Sequence, residues 1–129
     1  MTPDDVRRLA LDLPDVVERD HHGFPSFRTG PRGRIFATLP TEQILRVMLE
    51  EESVRQAVAQ WPWCREGWWG RRLMTVEVVL AQADAVVVTE LLDQAHARAG
   101  SAARVGRAQR LHLRGRKATA RVVPEPVRL

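Results

Sequence analysis

Apolar positions along this chain recur with two different periods, and the points where the period changes mark the elements. Val6, Leu9, Ala10 and Leu13 fall at i, i+3, i+4 and i+7, which is one face of a helix. Thr2-Pro3-Asp4-Asp5 ahead of them forms a helix start: a Thr cap, Pro at the first helical position, and two acids beside the positive end of the helix dipole. Pro14 stops this helix, and Asp15 to Asp20 reads as a polar, partly extended passage. The period then becomes two. Ser26–Thr29 and Arg34–Leu39 predict a hairpin closed by Gly30-Pro31-Arg32-Gly33, which suits a type I turn with Pro second and Gly fourth. In its second strand Ile35, Ala37 and Leu39 are expected on one face, with Phe36 and Thr38 on the other.

Pro40 and Thr41 turn the chain into a third strand, Ile44–Leu49. Glu50-Glu51-Glu52 opens a second helix with the stripe Val54, Ala57, Val58 and Trp61, and Pro62 ends it. Pro62 to Arg72 shows neither period and is expected to be irregular. A fourth strand covers Thr75–Leu80, and Asp84 caps a third helix with the stripe Val88, Leu91, Leu92 and Ala95, ending at Gly100. The order is α-β-β-β-α-β-α. Short connections between neighbouring strands imply an antiparallel sheet, and one-sided helices imply a cover for it. The expected fold is α+β, a two-layer sandwich of an antiparallel sheet with helices packed on it.

Composition changes this picture at one end of the chain. Residues 1–100 carry 12 arginines against 15 acids, a balance of −3, whereas residues 101–129 carry 8 basic residues against 1 acid, a balance of +7. The overall +4 therefore joins an acidic domain to a basic tail. The expected organisation is a domain over 1–100 and an Arg-rich, disordered tail over 101–129, with a marginal hairpin of Leu111, Leu113, Val122 and Val123 as the alternative. A length of 129 residues suits one domain with a real core. The single cysteine, Cys64, excludes an internal disulfide, and no apolar run reaches membrane-spanning length. With an acidic helix start in place of a signal segment, a cytoplasmic protein is expected.

Candidate chemistry is concentrated in arginine and tryptophan. Arg28, Arg32 and Arg34 cluster at the hairpin tip, and Arg71 and Arg72 precede the fourth strand. Cations at such spacing can meet phosphates, and two loops projecting from one sheet edge could straddle a nucleic-acid backbone. Their plain alternative is keeping exposed turns soluble. Tail residues Arg104, Arg107, Arg110, Arg114, Arg116 and Lys117 would add non-specific affinity, while Glu50 to Glu52 would repel phosphates if they shared the same face. Trp61, Trp63, Trp68 and Trp69 lie within nine residues, and beside Arg71 and Arg72 they could stack on a planar ligand. At least two of them are expected to serve as core instead. Asp20-His21-His22 has a metal-site composition, but neighbours on an extended chain point to opposite sides, so no metal site is assigned. Ser26 and Cys64 lack the context of a nucleophile, no glycine-rich phosphate loop is present, and no cofactor is implied.

The Leu-x-Leu-Pro end of the first helix (Leu11 to Pro14), HHGFPSFR followed by RIFATL (His21 to Leu39), Trp-Gly-Arg at Trp69 to Arg71 before Thr75-x-x-Val78, and the closing Leu91-Leu92 helix resemble the MmcQ/YjbR family of small bacterial proteins. The resemblance covers roughly residues 1–100. It implies a frataxin-like sandwich and a non-enzymatic, DNA-binding role with two projecting wings, and it carries over no catalytic residue. Two positions depart from the family's pattern: Leu73-Met74 stands where relatives commonly have Gly-Trp, and His96 stands near a family Trp. The function expected is phosphate-backbone binding to DNA through Arg28, Arg32, Arg34, Arg71, Arg72 and the basic tail. The alternative is a small ligand or protein partner held at Trp68, Trp69, Arg71, Arg72 and His22.

Overall fold

The computed structural model describes residues 1–111, with side chains through residue 100. Its elements are α1 (Pro3–Leu11), β1 (Val16–His21), β2 (Phe24–Thr29), β3 (Ile35–Thr38), β4 (Ile44–Met48), α2 (Glu51–Gln60), β5 (Cys64–Trp69), β6 (Arg72–Val79), a 3-10 turn (Leu80–Gln82) and α3 (Ala85–Leu111). The strands form one antiparallel sheet of order β1-β2-β3-β4-β6-β5. The fold is the expected α+β class, with two strands more than the sequence pattern predicted.

Each extra strand is closed by a two-residue hairpin. Between β1 and β2, His22 and Gly23 both take positive φ, 55° and 93°, the signature of a type I′ turn. Histidine tolerates this region better than most residues, and the Gly23 amide donates to the Asp20 carboxylate. Between β5 and β6, Gly70 supplies the positive φ of 61° at the first loop position and Arg71 follows it. The passage Asp15–Asp20 and the supposedly irregular Pro62–Arg72 thus hold most of β1 and all of β5, the two edge strands. Edge strands need no strict alternation of apolar residues, which is why neither showed a period.

The helices begin and pack as their sequences require. Thr2 Oγ1 accepts from the Asp5 amide while the Asp5 carboxylate accepts from the Thr2 amide, a complete capping box. Asp84 accepts from the Val87 amide at the start of α3, whose Val88, Leu91, Leu92 and Ala95 are buried. That helix does not stop at Gly100. It continues to Leu111, so the first eleven residues assigned to the tail are helical. The rest of the expected tail, 112–129, with most of its proposed hairpin, lies outside the described residues. No helix among the described residues is long and apolar enough to cross a membrane.

Strand register assigns every strand residue to a face. One row crosses all six strands as Glu18, Phe27, Ala37, Val47, Val76 and Glu66. Its ends are tied to two helices, Glu18 by Arg7 of α1 at 2.8 Å and Glu66 by Arg55 of α2 at 3.7 Å. Next to its middle, Phe36 meets His96 of α3 edge-on, with ring centroids 5.4 Å apart. All three helices therefore lie on one side, over the buried Phe27, Ala37, Leu45, Val47, Val76 and Val78. Phe36 joins them through a bulge, because Phe27 pairs with Ala37 while Arg28 pairs with Ile35, leaving Phe36 as the extra residue. The expected grouping of Ile35 with Ala37 and Leu39 is broken by that bulge, which turns Ile35 to the opposite face alongside Arg28.

Candidate nucleic-acid interface

Two hairpin tips leave the sheet at one end. In the tip between β2 and β3, the Gly33 amide donates to the Gly30 carbonyl at 3.1 Å and the Thr29 amide to the Arg34 carbonyl at 3.2 Å, which closes the Gly-Pro-Arg-Gly turn. A Cβ at Gly33 would lie 1.9 Å from the Thr29 carbonyl oxygen, so the turn requires glycine there. The second tip is Gly70-Arg71. In an antiparallel sheet of this order β2, β4 and β5 run the same way, so the turns after Thr29 and Trp69 project together, with β4 between the hairpins. Three strand spacings of about 4.8 Å put the tips roughly 14 Å apart, on the scale of the major groove's width of about 12 Å.

Arginines sort by where they stand. Arg7, Arg8, Arg55 and Arg98, all on helices, each contact a carboxylate, and Arg46 pairs with Glu77 at 2.9 Å. Among the described side chains, the remaining seven of the 12 make no ion pair: Arg19, Arg28, Arg32, Arg34, Arg65, Arg71 and Arg72. Every one of the seven belongs to β1, the β2–β3 hairpin or the β5–β6 hairpin. Eight of the 15 acids belong to the helices or face them. Asp4, Asp5, Glu51, Glu52, Glu90 and Asp93 ride on helices, and Glu18 and Glu66 lie on the helix-facing row. Within a total of −3 over residues 1–100, the strands and the two hairpin tips carry eight arginines against the four acids Glu18, Asp20, Glu66 and Glu77, a balance of +4. Glu50 to Glu52, which would repel phosphates on a shared face, follow β4 at the same end of the sheet as the two tips, but on the helix side, where Arg98 approaches Glu50 at 4.0 Å.

The sheet face turned away from the helices continues this basic surface. One residue along from the helix-facing row, register lines up Arg19, Ser26, Thr38, Arg46, Glu77 and Arg65 across all six strands. Every member is polar, and Glu77 is the one acid among the strand residues on this face. Ser26 is held by donating from its hydroxyl to the Arg19 carbonyl at 3.0 Å. Around the row stand half-buried Val17, Phe24, Ile35, Ile44, Met48 and Val79. Arg28, paired across to Ile35, has a buried Nε with no hydrogen-bond partner.

Of the residues singled out in the sequence, Arg32, Arg34, Arg71 and Arg72 are exposed at the two tips, with Arg28 half-buried behind the first. The aromatic group divides. Trp61 and Trp63 stack on each other at 5.8 Å, and Trp63 is buried, so these two serve the core. Trp68 and Trp69 are 49% and 58% exposed. Trp68 donates its indole N–H to Glu66 on the helix-facing side, whereas Trp69 pairs with Arg72 on the open side, so the two do not form one cleft. His22 is not brought to them: it sits in the β1–β2 turn, at the other end of the sheet and its other edge. Arg104, Arg107 and Arg110 fall within α3, which passes the His96 to Pro14 hydrogen bond at the tip end before continuing to Leu111. Arg114, Arg116 and Lys117 lie outside the described residues. Sequence reasoning missed Arg19, Arg46 and Arg65, because their shared row exists only once β1 and β5 are known to be strands.

His21 and His22 lie closer than an extended chain would allow, 4.4 Å between ring centroids, because His22 takes a left-handed turn. Among the described residues no group of three His, Cys, Asp or Glu is gathered to hold a metal. Cys64 is buried toward the helices, and loss of solvation pushes its thiol up to about 11, away from the thiolate a nucleophile needs. No family model, curated protein or solved structure matches this chain.

Proposed function

We propose that this protein is a non-enzymatic DNA-binding protein, located in the cytoplasm, that grips the phosphate backbone with the arginines of its two hairpin tips. Arg32 and Arg34 act from one tip and Arg71 and Arg72 from the other, with Arg28 behind the first and the basic C-terminal segment adding electrostatic affinity. The observation that carries this reading is the sorting of charge. Helix arginines are neutralised by carboxylates, while the arginines of both tips are exposed, unpaired and aimed from the same end of the sheet. A guanidinium left without a carboxylate on a rigid turn is available to a phosphate and loses little conformational freedom on meeting it.

Fluorescence anisotropy with a labelled duplex across a salt series tests the reading on the full-length protein. Each phosphate contact adds about 0.9 to the slope of log affinity against log salt, so Arg32→Ala with Arg34→Ala should lower it by roughly 1.8. Arg8→Ala with Arg55→Ala, on the helix layer, should leave the slope unchanged. A slope that ignores the tip pair, or that falls equally with the helix pair, removes the tips from the contact.

A further inference from the structure

The open sheet face has a composition that a duplex does not use. Its basic row, Arg19, Arg46 and Arg65, is flanked by half-buried apolar side chains, and the exposed indole of Trp69 stands on the same side at its edge. A duplex offers this face phosphates only, with its bases paired and stacked inside. A single strand offers phosphates together with unstacked bases that have apolar π faces, and it matches both halves of the surface. A second copy of this chain does not match, because face-to-face docking would set arginines against arginines with a single Glu77 on each side.

We propose that the open face binds single-stranded nucleic acid, its phosphates on the unpaired Arg19 and Arg65 and a base stacked on Trp69, while Glu77 holds Arg46 between them. This rests on the nucleic-acid reading above and adds the form of the ligand. The row spans five strand spacings, roughly 24 Å, enough for about four nucleotides, a length within the range of known single-strand sites. Ser26 and Thr38 keep the middle of the row low, because their side chains are short and buried between longer neighbours.

The test is anisotropy binding of the full-length protein to a labelled oligothymidine and to a blunt duplex of the same length, with far-UV circular dichroism to confirm folding. Arg19→Ala with Arg65→Ala should lower the oligothymidine salt slope by about 1.4, two contacts at about 0.7 each. Trp69→Ala should weaken oligothymidine binding by roughly tenfold or more, and duplex binding far less. Trp69→Phe, which keeps a stacking face, should restore most of the loss. Duplex binding without oligothymidine binding overturns this inference and leaves the tip reading standing. Failure to bind either ligand overturns both. Oligothymidine binding indifferent to both variants also overturns the inference, as does a concentration-dependent dimer dissolved by the Arg19 and Arg65 pair, which would give the face to a second copy.

Discussion

Gly67→Ala is the substitution through which the β5–β6 hairpin can be tested most sharply. Gly67 sits in the edge strand opposite Thr75, a residue only 1% exposed. An added Cβ would lie 1.9 Å from the Thr75 hydroxyl oxygen and 3.2 Å from its Cβ and its carbonyl oxygen. Threonine is stiff at χ1 and both of its branches occupy space, so rotating the hydroxyl away brings the methyl toward the same place. The strand pair must open instead. Overpacking of this kind costs about 1–3 kcal/mol, and the melting temperature should fall by roughly 5–15 °C. Urea titration of wild type, Gly67→Ala, Thr75→Ala and the double variant measures this. Thr75→Ala removes the 1.9 Å contact and leaves the 3.2 Å ones, so the double variant should recover most of the loss, with a coupling energy of about 1 kcal/mol or more. Because Trp69, Arg71 and Arg72 lie beyond Gly67, the single variant should also weaken nucleic-acid binding. A Gly67→Ala protein within about 0.5 kcal/mol of wild type, the range of ordinary surface changes, would refute the close packing of these strands.

Other expectations follow from the charges and the core. Glu77→Gln removes the acid of the open face and frees Arg46, so affinity for oligothymidine should rise and its salt slope should steepen by about 0.7. The stability cost should stay under about 1 kcal/mol, because the Arg46–Glu77 pair is 41% and 25% exposed and partly screened. Cys64 should resist an aromatic disulfide reagent at pH 8 in the folded protein and react at once in denaturant, since burial holds its thiol up at about 11. Asp5 has its carboxyl lowered from 3.8 to about 2, chiefly by Arg8 and then by the Thr2 amide and hydroxyl. Its folded value is depressed, so its contribution is present above pH 3.8 and lost as pH falls toward 2. Thermal melts of wild type and Asp5→Asn should therefore differ at pH 6 and converge near pH 2, by a small amount because the pair with Arg8 is largely open to solvent and screened.

The parts of this molecule legible in its sequence are those where local chemistry and burial agree. The Thr2 cap, the Val88-Leu91-Leu92-Ala95 stripe and the Gly-Pro-Arg-Gly turn each specify their element within a few residues, and all three stand in the structure. β1 and β5 were not legible, because an edge strand is covered on one side at most and Cys-Arg-Glu-Gly-Trp-Trp buries only Cys64 and Gly67. Their turns left a trace. His22-Gly23 and Gly70-Arg71 are two-residue hairpin loops, and a glycine between runs of β-prone residues is the signal that would have found them. The two bulges were hidden more deeply, since Phe36 and Met74 are extra residues only relative to partners on other strands. The tip arginines could be named from their positions, but the Arg19, Arg46 and Arg65 row could not. It depends on the register of six strands, and no single stretch of chain contains it.

The most direct test of the charge-sorting account is a 15N-labelled NMR titration of the full-length protein with oligonucleotide, following backbone amides. The account predicts that shifts gather at 17–21, 26–34 and 65–72 and leave α1 and α2 unmoved, while Arg7 and Arg55 keep their partners. Shifts concentrated on α1 and α2, or none with either duplex or single strand, would contradict it.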